Sequence, residues 1–495
     1  MKEKISKKRL LISAAIFALF YALILVLVLA MIVINQPKDW TGYFRNNYTD
    51  VLLVCVCLFL LLAIIYYYYY FDSKEFLSQP KNVILILSIT VLALVINYAF
   101  SRIVGDVYIR PTAVLALLFV FLLNRRQAIV LNFVFAFLMF VIDRNTNMAE
   151  VIGKNQEYYS LMLTFVSGTV SVFIAGANKT RGGLMLTGII SAIPAVIVIL
   201  LFAISEAVED WVRYITIAGY GVAGSLLSAM LALALLPAFE RIFNVLTVFR
   251  MSEITSTNAP ILKRLKTEAP GTFNHSLIVA HLCETCAVAI GENAELARAA
   301  GYYHDVGKLR QPECFTENQT DYNVHDELTP ELSADIIRSH AKDGYDFLMA
   351  AHLPEEIANV AIEHHGTLPI KYFYNKAVKI TGEDLSTRDY SYFGPTPTTK
   401  IASIVMIADA AEAAVRALSD RSAESVERIV RGIIEERMDL DQFDNCDITI
   451  KDLATIKETI VGALSGVHHH RVKYPAIRFN RGKKAVAESS EEESK

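Results

Sequence analysis

Five histidines and two aspartates in the C-terminal half of this 495-residue chain have the types and the grouping that hold divalent metal ions. His275 follows Gly271-Thr272-Phe273-Asn274 at an expected helix start, and His304-Asp305 is embedded in Tyr303-His304-Asp305-Val306-Gly307-Lys308. His340 follows Ile337-Arg338-Ser339, His364-His365 sits in Ile362-Glu363-His364-His365-Gly366, and Asp409 lies in Ile407-Ala408-Asp409-Ala410-Ala411. Imidazole and carboxylate together suit divalent iron, manganese or zinc, and seven ligands exceed what one open catalytic site uses. Two metals sharing one carboxylate is the economical arrangement. A lone histidine on a helix is more often a hydrogen-bonded core residue, but neighbours on a helix point about 100° apart. His304 and Asp305 therefore cannot pack one apolar face together, whereas they can grip two metals. His364 and His365 repeat the argument. Two metals sharing a site lower the pKa of a bridging water and offset charge on an attacked phosphate, so the expected chemistry is in-line hydroxide attack on a phosphodiester. No serine or cysteine nucleophile is required. Cys283-Glu284-Thr285-Cys286 is then helix packing rather than a redox pair.

These residues must be positioned by an unusual chain. It is 54% hydrophobic and 20% charged, and eight uncharged runs precede residue 240: Leu10–Pro37, Val51–Phe71, Asn82–Ser101, Pro111–Asn124, Gln127–Ile142, Tyr158–Asn178, Gly182–Ser205 and Tyr214–Phe239. About 20 apolar residues cross a bilayer, so a multi-pass membrane region of about eight helices is expected over residues 1–242. The basic cluster Lys2, Lys4, Lys7, Lys8 and Arg9 holds the N-terminus in the cytoplasm, and the first run is too long for a cleaved signal peptide. The fourth and fifth runs are the shortest; as two crossings or as a re-entrant pair they keep the crossing number even. Both termini are then cytoplasmic.

None of the 11 histidines precedes His275. The chemistry belongs to the second half, where apolar residues recur at helical spacing from Gly271 to about Ala463 and strand alternation is nearly absent. The fold class is all-α. A connector spans residues 243–270, the histidine-bearing domain residues 271–475, and an acidic, serine-rich tail residues 476–495. With 47 basic and 51 acidic residues, nothing points to a nucleic-acid polymer as partner. Six cysteines follow no disulfide framework. Gly219-Tyr220-Gly221-Val222-Ala223-Gly224 fits a dinucleotide fingerprint but sits inside a membrane run, where close helix packing explains it better. Tyr66 to Tyr70 reads as an interfacial aromatic belt. No run carries a central charge, which leaves a transporter without direct support.

The residues resemble HD-domain phosphohydrolases, whose pattern is a His, then His-Asp, then a distant Asp. With the membrane half, Ala269-Pro270-Gly271-Thr272-Phe273-Asn274-His275-Ser276, Glu317-Asn318-Gln319 and His364-His365-Gly366-Thr367, the chain resembles the seven-transmembrane HD family of PgpH-type cyclic di-AMP phosphodiesterases over nearly all of residues 50 to 475. The resemblance implies one metal on His275, His304, Asp305 and Asp409 and another on Asp305, His340, His364 and His365, with manganese or iron as the ions. It implies opening of cyclic di-AMP to linear pApA on the cytoplasmic side of a bacterial plasma membrane, with Lys308 as the phosphate-facing cation. The implied partners are a cyclic dinucleotide and the lipid bilayer, and a homodimer is admitted. Two alternatives are a cyclic di-GMP phosphodiesterase, disfavoured because Gly366 is followed by Thr367-Leu368-Pro369, and a non-catalytic nucleotide-binding receptor, whose expected loss of ligands is absent. Three features depart from the pattern. Gln36 to Asp50 is short where a large extracellular domain is usual, Cys314 replaces an expected aromatic, and His468-His469-His470 reads as a polar helix end.

Overall fold

A computed structural model describes residues 7–35, 40–145, 156–176, 180–206, 208–319, 322–382 and 385–466. The acidic tail, His468 to His470, and the cations Lys2, Lys4, Lys38, Lys154 and Lys179 lie outside the described residues. Among those described there is no strand, only an isolated bridge between Pro369 and Ser391. The helices of the first half are α1 (Lys7–Asn35), α2 (Trp40–Asn46), α3 (Tyr48–Asp72), α4 (Lys74–Leu77), α5 (Pro80–Val104), α6 (Val114–Leu122), α7 (Arg125–Asn145), α8 (Gln156–Ala175), α9 (Arg181–Ser205) and α10 (Trp211–Ile242). Seven of them, α1, α3, α5, α7, α8, α9 and α10, are long and apolar enough to cross a membrane, and the protein is a multi-pass membrane protein.

The fourth uncharged run departs from the expected span. Its helix, α6, has nine residues, about 14 Å of rise, whereas the 21 residues of α7 rise about 31 Å. Its side chains are buried from Val114 to Phe119, so α6 is packed inside the bundle rather than exposed to lipid. Arg126 pairs with Asp72 at the end of α3, and Arg110 pairs with Asp143 near the far end of α7. The segment from Arg110 to Arg126 thus travels the length of α7 in reverse, partly as loop. A loop at that depth is tolerated because protein surrounds it. Arg110 is 2% exposed; it donates to both Asp143 carboxylate oxygens, at 2.5 and 2.8 Å, and to Ser160 and Ser101. Counting charge-free residues could not see this pair, because its members flank two different runs. Gly224 of α10 permits the fit: a Cβ there would lie 2.6 Å from the Arg110 carbonyl oxygen. Within the tyrosine run, Tyr69 is buried and stacks on Phe76, while Tyr67 is exposed.

A short helix, α11 (Val248–Ile254), follows the bundle, and then come α12 (Pro260–Glu268), α13 (Pro270–Ile290), α14 (Ala294–Tyr303), α15 (Pro330–Ala350), α16 (Glu355–Glu363), α17 (Lys371–Thr381), α18 (Lys400–Arg416), α19 (Ala423–Asp439) and α20 (Ile450–Gly466). Their ends are written in the sequence. Asn293, Thr329 and Thr399 cap α14, α15 and α18 by accepting the backbone N–H three residues on, and Gly291 at φ 79° stops α13. Helix α13 is apolar enough to pass for a membrane span, but its apolar face is spent within this domain. Val279, Cys283 and Cys286 join Ile404, Ile407 and Ile456 in one core, while Phe273 joins Tyr303, Leu348 and Ile357 in another. Helices α13, α14 and α16 contribute to both cores, which clamps the residues they carry from two sides.

Candidate metal centre

All seven expected ligands converge, from five separate parts of the chain. His275 projects from α13, His340 from α15 and Asp409 from α18. His304 caps the C-terminal end of α14, and Asp305 opens the 3₁₀ turn Val306–Arg310; His364 caps α16, with His365 following. Ending a helix at each adjacent pair frees the second residue to aim differently from the first. Gly307 lets the turn approach α15, since a Cβ there would lie 2.0 Å from the His340 carbonyl oxygen.

Asp305 lies at the centre with one oxygen toward each group. Its Oδ2 is 3.7 Å from His275 Nε2 and 3.3 Å from His304 Nε2, while Oδ1 is 3.3 Å from His340 Nε2 and 3.7 Å from His364 Nε2. Asp409 Oδ1 is 2.9 Å from His275 Nε2, and its Oδ2 is 3.9 Å from His365 Nδ1. Two groups result, His275, His304, Asp305 and Asp409 in one and Asp305, His340, His364 and His365 in the other, with the ligating atoms of each within 4.8 Å of one another. His304 Nε2 and Asp305 Oδ1 are buried without a hydrogen-bond partner. His340 Nε2 and His364 Nε2 face each other at 3.4 Å. Buried, unpaired donors turned toward a common point fit divalent cations and little else.

The opposite imidazole nitrogens fix the ring orientations. Nδ1 of His304, His340 and His364 each faces the carbonyl oxygen three residues earlier, that of Gly301, Ile337 and Ala361. A carbonyl only accepts, so each Nδ1 carries a proton, which leaves Nε2 as the atom turned to the site and able to ligate once it is unprotonated. His275 differs: its Nδ1 donates to the Glu412 carboxylate at 2.5 Å. Glu412 escaped sequence reading, although it lies one helical turn after Asp409 on α18. A second omission is Tyr392, whose ring stacks on His365 with centroids 4.3 Å apart. It borders a cavity of about 290 Å³ lined also by Leu368, Lys371 and Arg437.

Lys308 pairs its charge with Asp305 Oδ2 at 2.8 Å, donates to Glu317 Oε1 at 2.8 Å, and lies over the Phe315 ring. Glu317 also accepts from the Thr272 hydroxyl, and Asn318 bonds Thr272 at both backbone and side chain. The Glu-Asn motif is therefore a buttress that ties Lys308 to the start of α13. Gly271 is part of it, because a Cβ there would overlap the Glu317 carbonyl.

Burial opposes the charge on Asp305, but Lys308 and His304 override it and hold the carboxyl well below the usual range. Burial likewise opposes protonation of His304, and the Asp305 carboxylate outweighs it, lifting that imidazole to about 10. His275 is raised against burial by Asp409 and Glu412, while burial leaves His364 and His365 neutral. The metal-free centre thus holds a charged His304 at pH 7, and its extra proton must leave when Nε2 ligates. Metal uptake should release about one proton per chain from His304, with affinity rising as pH rises. Calorimetric titration with Mn²⁺ in buffers of different ionisation enthalpy measures the number; zero release would contradict this charge assignment.

Residues 47–247 match the family model described as 7TM receptor with intracellular HD hydrolase, and residues 272–414 match that of the HD domain, which implies divalent-metal binding. The chain is 36% identical over 458 residues to the cyclic-di-AMP phosphodiesterase PgpH of Bacillus subtilis, covering 89% of this chain and 63% of that protein. It is 39% identical over 349 residues to the PgpH of Listeria monocytogenes, covering 70% of this chain and 48% of that protein. It therefore spans about half to two thirds of the length of these curated relatives. Among solved structures, the HD domain of the L. monocytogenes PgpH in complex with cyclic-di-AMP is 45% identical, covering 43% of this chain and 100% of that one, with a TM-score of 0.42.

Proposed function

We propose that the chain, whose halves match the models of the 7TM receptor with intracellular HD hydrolase and of the HD domain, is a membrane-bound, metal-dependent phosphodiesterase that opens cyclic di-AMP to linear pApA. The observation that carries the reading is the completeness of both ligand groups around one shared carboxylate, Asp305. When bound, two divalent ions, Mn or Fe, supply an activated water and neutralise charge on the phosphate. The remaining work falls to this chain's own residues. His275, His304, Asp305 and Asp409 hold one ion, and Asp305, His340, His364 and His365 the other. Lys308 braces Asp305 and turns its remaining N–H toward the scissile phosphate, and Glu317 holds that ammonium in place. Buried carbonyls and Glu412 keep the imidazoles in the ligating tautomer.

Residues 1–242 form the membrane region, 243–270 the connector and 271–475 the catalytic domain, with 476–495 as a tail. The pairing of Arg126 with Asp72 and of Arg110 with Asp143 supports a crossing between α5 and α7 despite the short α6. The count is then eight, an even number, which sets both termini and the HD domain in the cytoplasm. Cyclic di-GMP as substrate and a purely binding receptor are the competing readings. Membrane vesicles of both orientations test all of this together. Cyclic di-AMP should be cleaved to pApA in inverted vesicles and not in sealed right-side-out ones, and faster than cyclic di-GMP. The reverse preference defeats the base assignment, turnover in right-side-out vesicles defeats the topology, and metal binding without turnover leaves the receptor.

A further inference from the structure

The link between the bundle and the metal centre is a seven-residue helix gripped from both sides. On the membrane side of α11, Phe249 packs against Phe121 of α6, and Glu253 pairs with Arg181 at the start of α9. Thr247, which caps α11, donates to the buried Glu240 carboxylate of α10. On the other side are two contacts that reach separate halves of the metal centre. The Ile254 carbonyl accepts the Tyr303 hydroxyl at 2.6 Å, and Tyr303, 1% exposed, immediately precedes His304-Asp305. Arg250 donates to the Glu240 carbonyl and to Asn244 and Val245 behind it, and across to the His352 carbonyl at 2.7 Å. His352 sits at φ 58° in the turn between α15, which carries His340, and α16, which ends at His364.

One guanidinium therefore binds the end of the last membrane helix to the turn between two ligand-bearing helices. One phenol binds the same short helix to the residue before His304, a ligand of the first group only. Arg250 is buried, and burial lowers its pKa against the pull of Glu240. Such a side chain is costly unless every donor is placed, so it is a poor choice for mere attachment. Beside the joint is a cavity of about 790 Å³, bordered by Glu240, Arg241, Arg250, Glu253, Tyr303 and His352. That space beside α11 gives room for a displacement of α10 to be taken up at the joint.

We infer that α11 is a mechanical joint that couples the membrane bundle to both halves of the metal centre, with Tyr303 and Arg250 as positioning residues acting through His304 and through the His340–His364 turn. The inference rests on the two-metal reading of the site. Its test is Mn²⁺ titration of the full chain in lipid nanodiscs, followed by the electron paramagnetic resonance of the free ion. Tyr303→Phe removes one hydroxyl and should weaken one of the two binding steps about tenfold while leaving the other within twofold, the scale of a second-layer change at a metal site. Arg250→Lys keeps the charge, loses the fork and should weaken the other step. Thermal unfolding of the metal-free forms separates this from general loosening. Both steps weakening equally with a lowered midpoint, or neither step moving in either variant, would overturn the joint. The titration uses no substrate, so failure to cleave a cyclic dinucleotide sinks the enzymatic reading alone.

Discussion

Asp305→Ala should empty both metal positions and lower turnover on the order of 10⁴-fold or more, while the helical domain stays folded. The expectation follows from where its two oxygens point. Each group keeps three other ligands, but the carboxylate oxygen at its centre is gone, and with it the negative charge that two adjacent dications require. Without Asp305, Lys308 retains Glu317, so the ammonium is not left unpaired. The two apolar cores are built from residues on other faces of α13, α14 and α16 and do not depend on it. Metal analysis by mass spectrometry, helicity by circular dichroism and pApA formation would be measured on one preparation. Asp305→Asn, of equal volume, should fail in the same way, because an amide offers one neutral oxygen instead of two charged ones. Retention of two ions by either variant, or turnover near that of the parent, would sink the shared-ligand arrangement.

The ligands were legible in the sequence because their types are conspicuous. Histidines absent from the first 274 residues, and two adjacent pairs that no single apolar face can bury, announce chemistry without any knowledge of the fold. The all-α architecture was legible for a related reason, since helical spacing of apolar residues persists across the second half. Partners fixed only by packing were not legible. Glu412 reads as one more acid on a helix until α13 is laid against α18, and Tyr392 lies in a loop with no period to follow. Arg250 and Tyr303 look like an ordinary cation and an ordinary aromatic, since their acceptors across the joint, the His352 and Ile254 carbonyls, are backbone groups that leave no trace in residue types. In the membrane half, run length marked seven long helices, while the fourth run, read as a crossing or as half of a re-entrant pair, forms only the nine-residue α6. A run of uncharged residues says what lipid and protein interior both accept, and α6 is surrounded by protein.

Lys308→Met should leave both metals in place and cost about 10²- to 10³-fold in kcat, the range for loss of a donor aimed at developing charge on the reacting group. Lys308 has three N–H groups; Glu317 accepts one at 2.8 Å, Asp305 offsets the charge at 2.8 Å, and an N–H can be directed into the site. Methionine keeps an apolar stem of similar length up to Cε and loses the ammonium over Phe315, so the change removes charge and donors more than packing. The seven ligands are untouched, and the imidazoles keep their carbonyl and Glu412 anchors. KM should move less than kcat, because charge on the phosphate oxygens grows as attack proceeds and the ammonium interacts most strongly at that point. The two roles open to Lys308 separate here. A residue that only holds Asp305 in position would, once removed, lower Mn²⁺ affinity and kcat in parallel, whereas one that faces the phosphate lowers kcat at full metal occupancy. Parallel loss, or an unchanged kcat, would remove Lys308 from the reacting groups and leave it as a brace for the shared carboxylate.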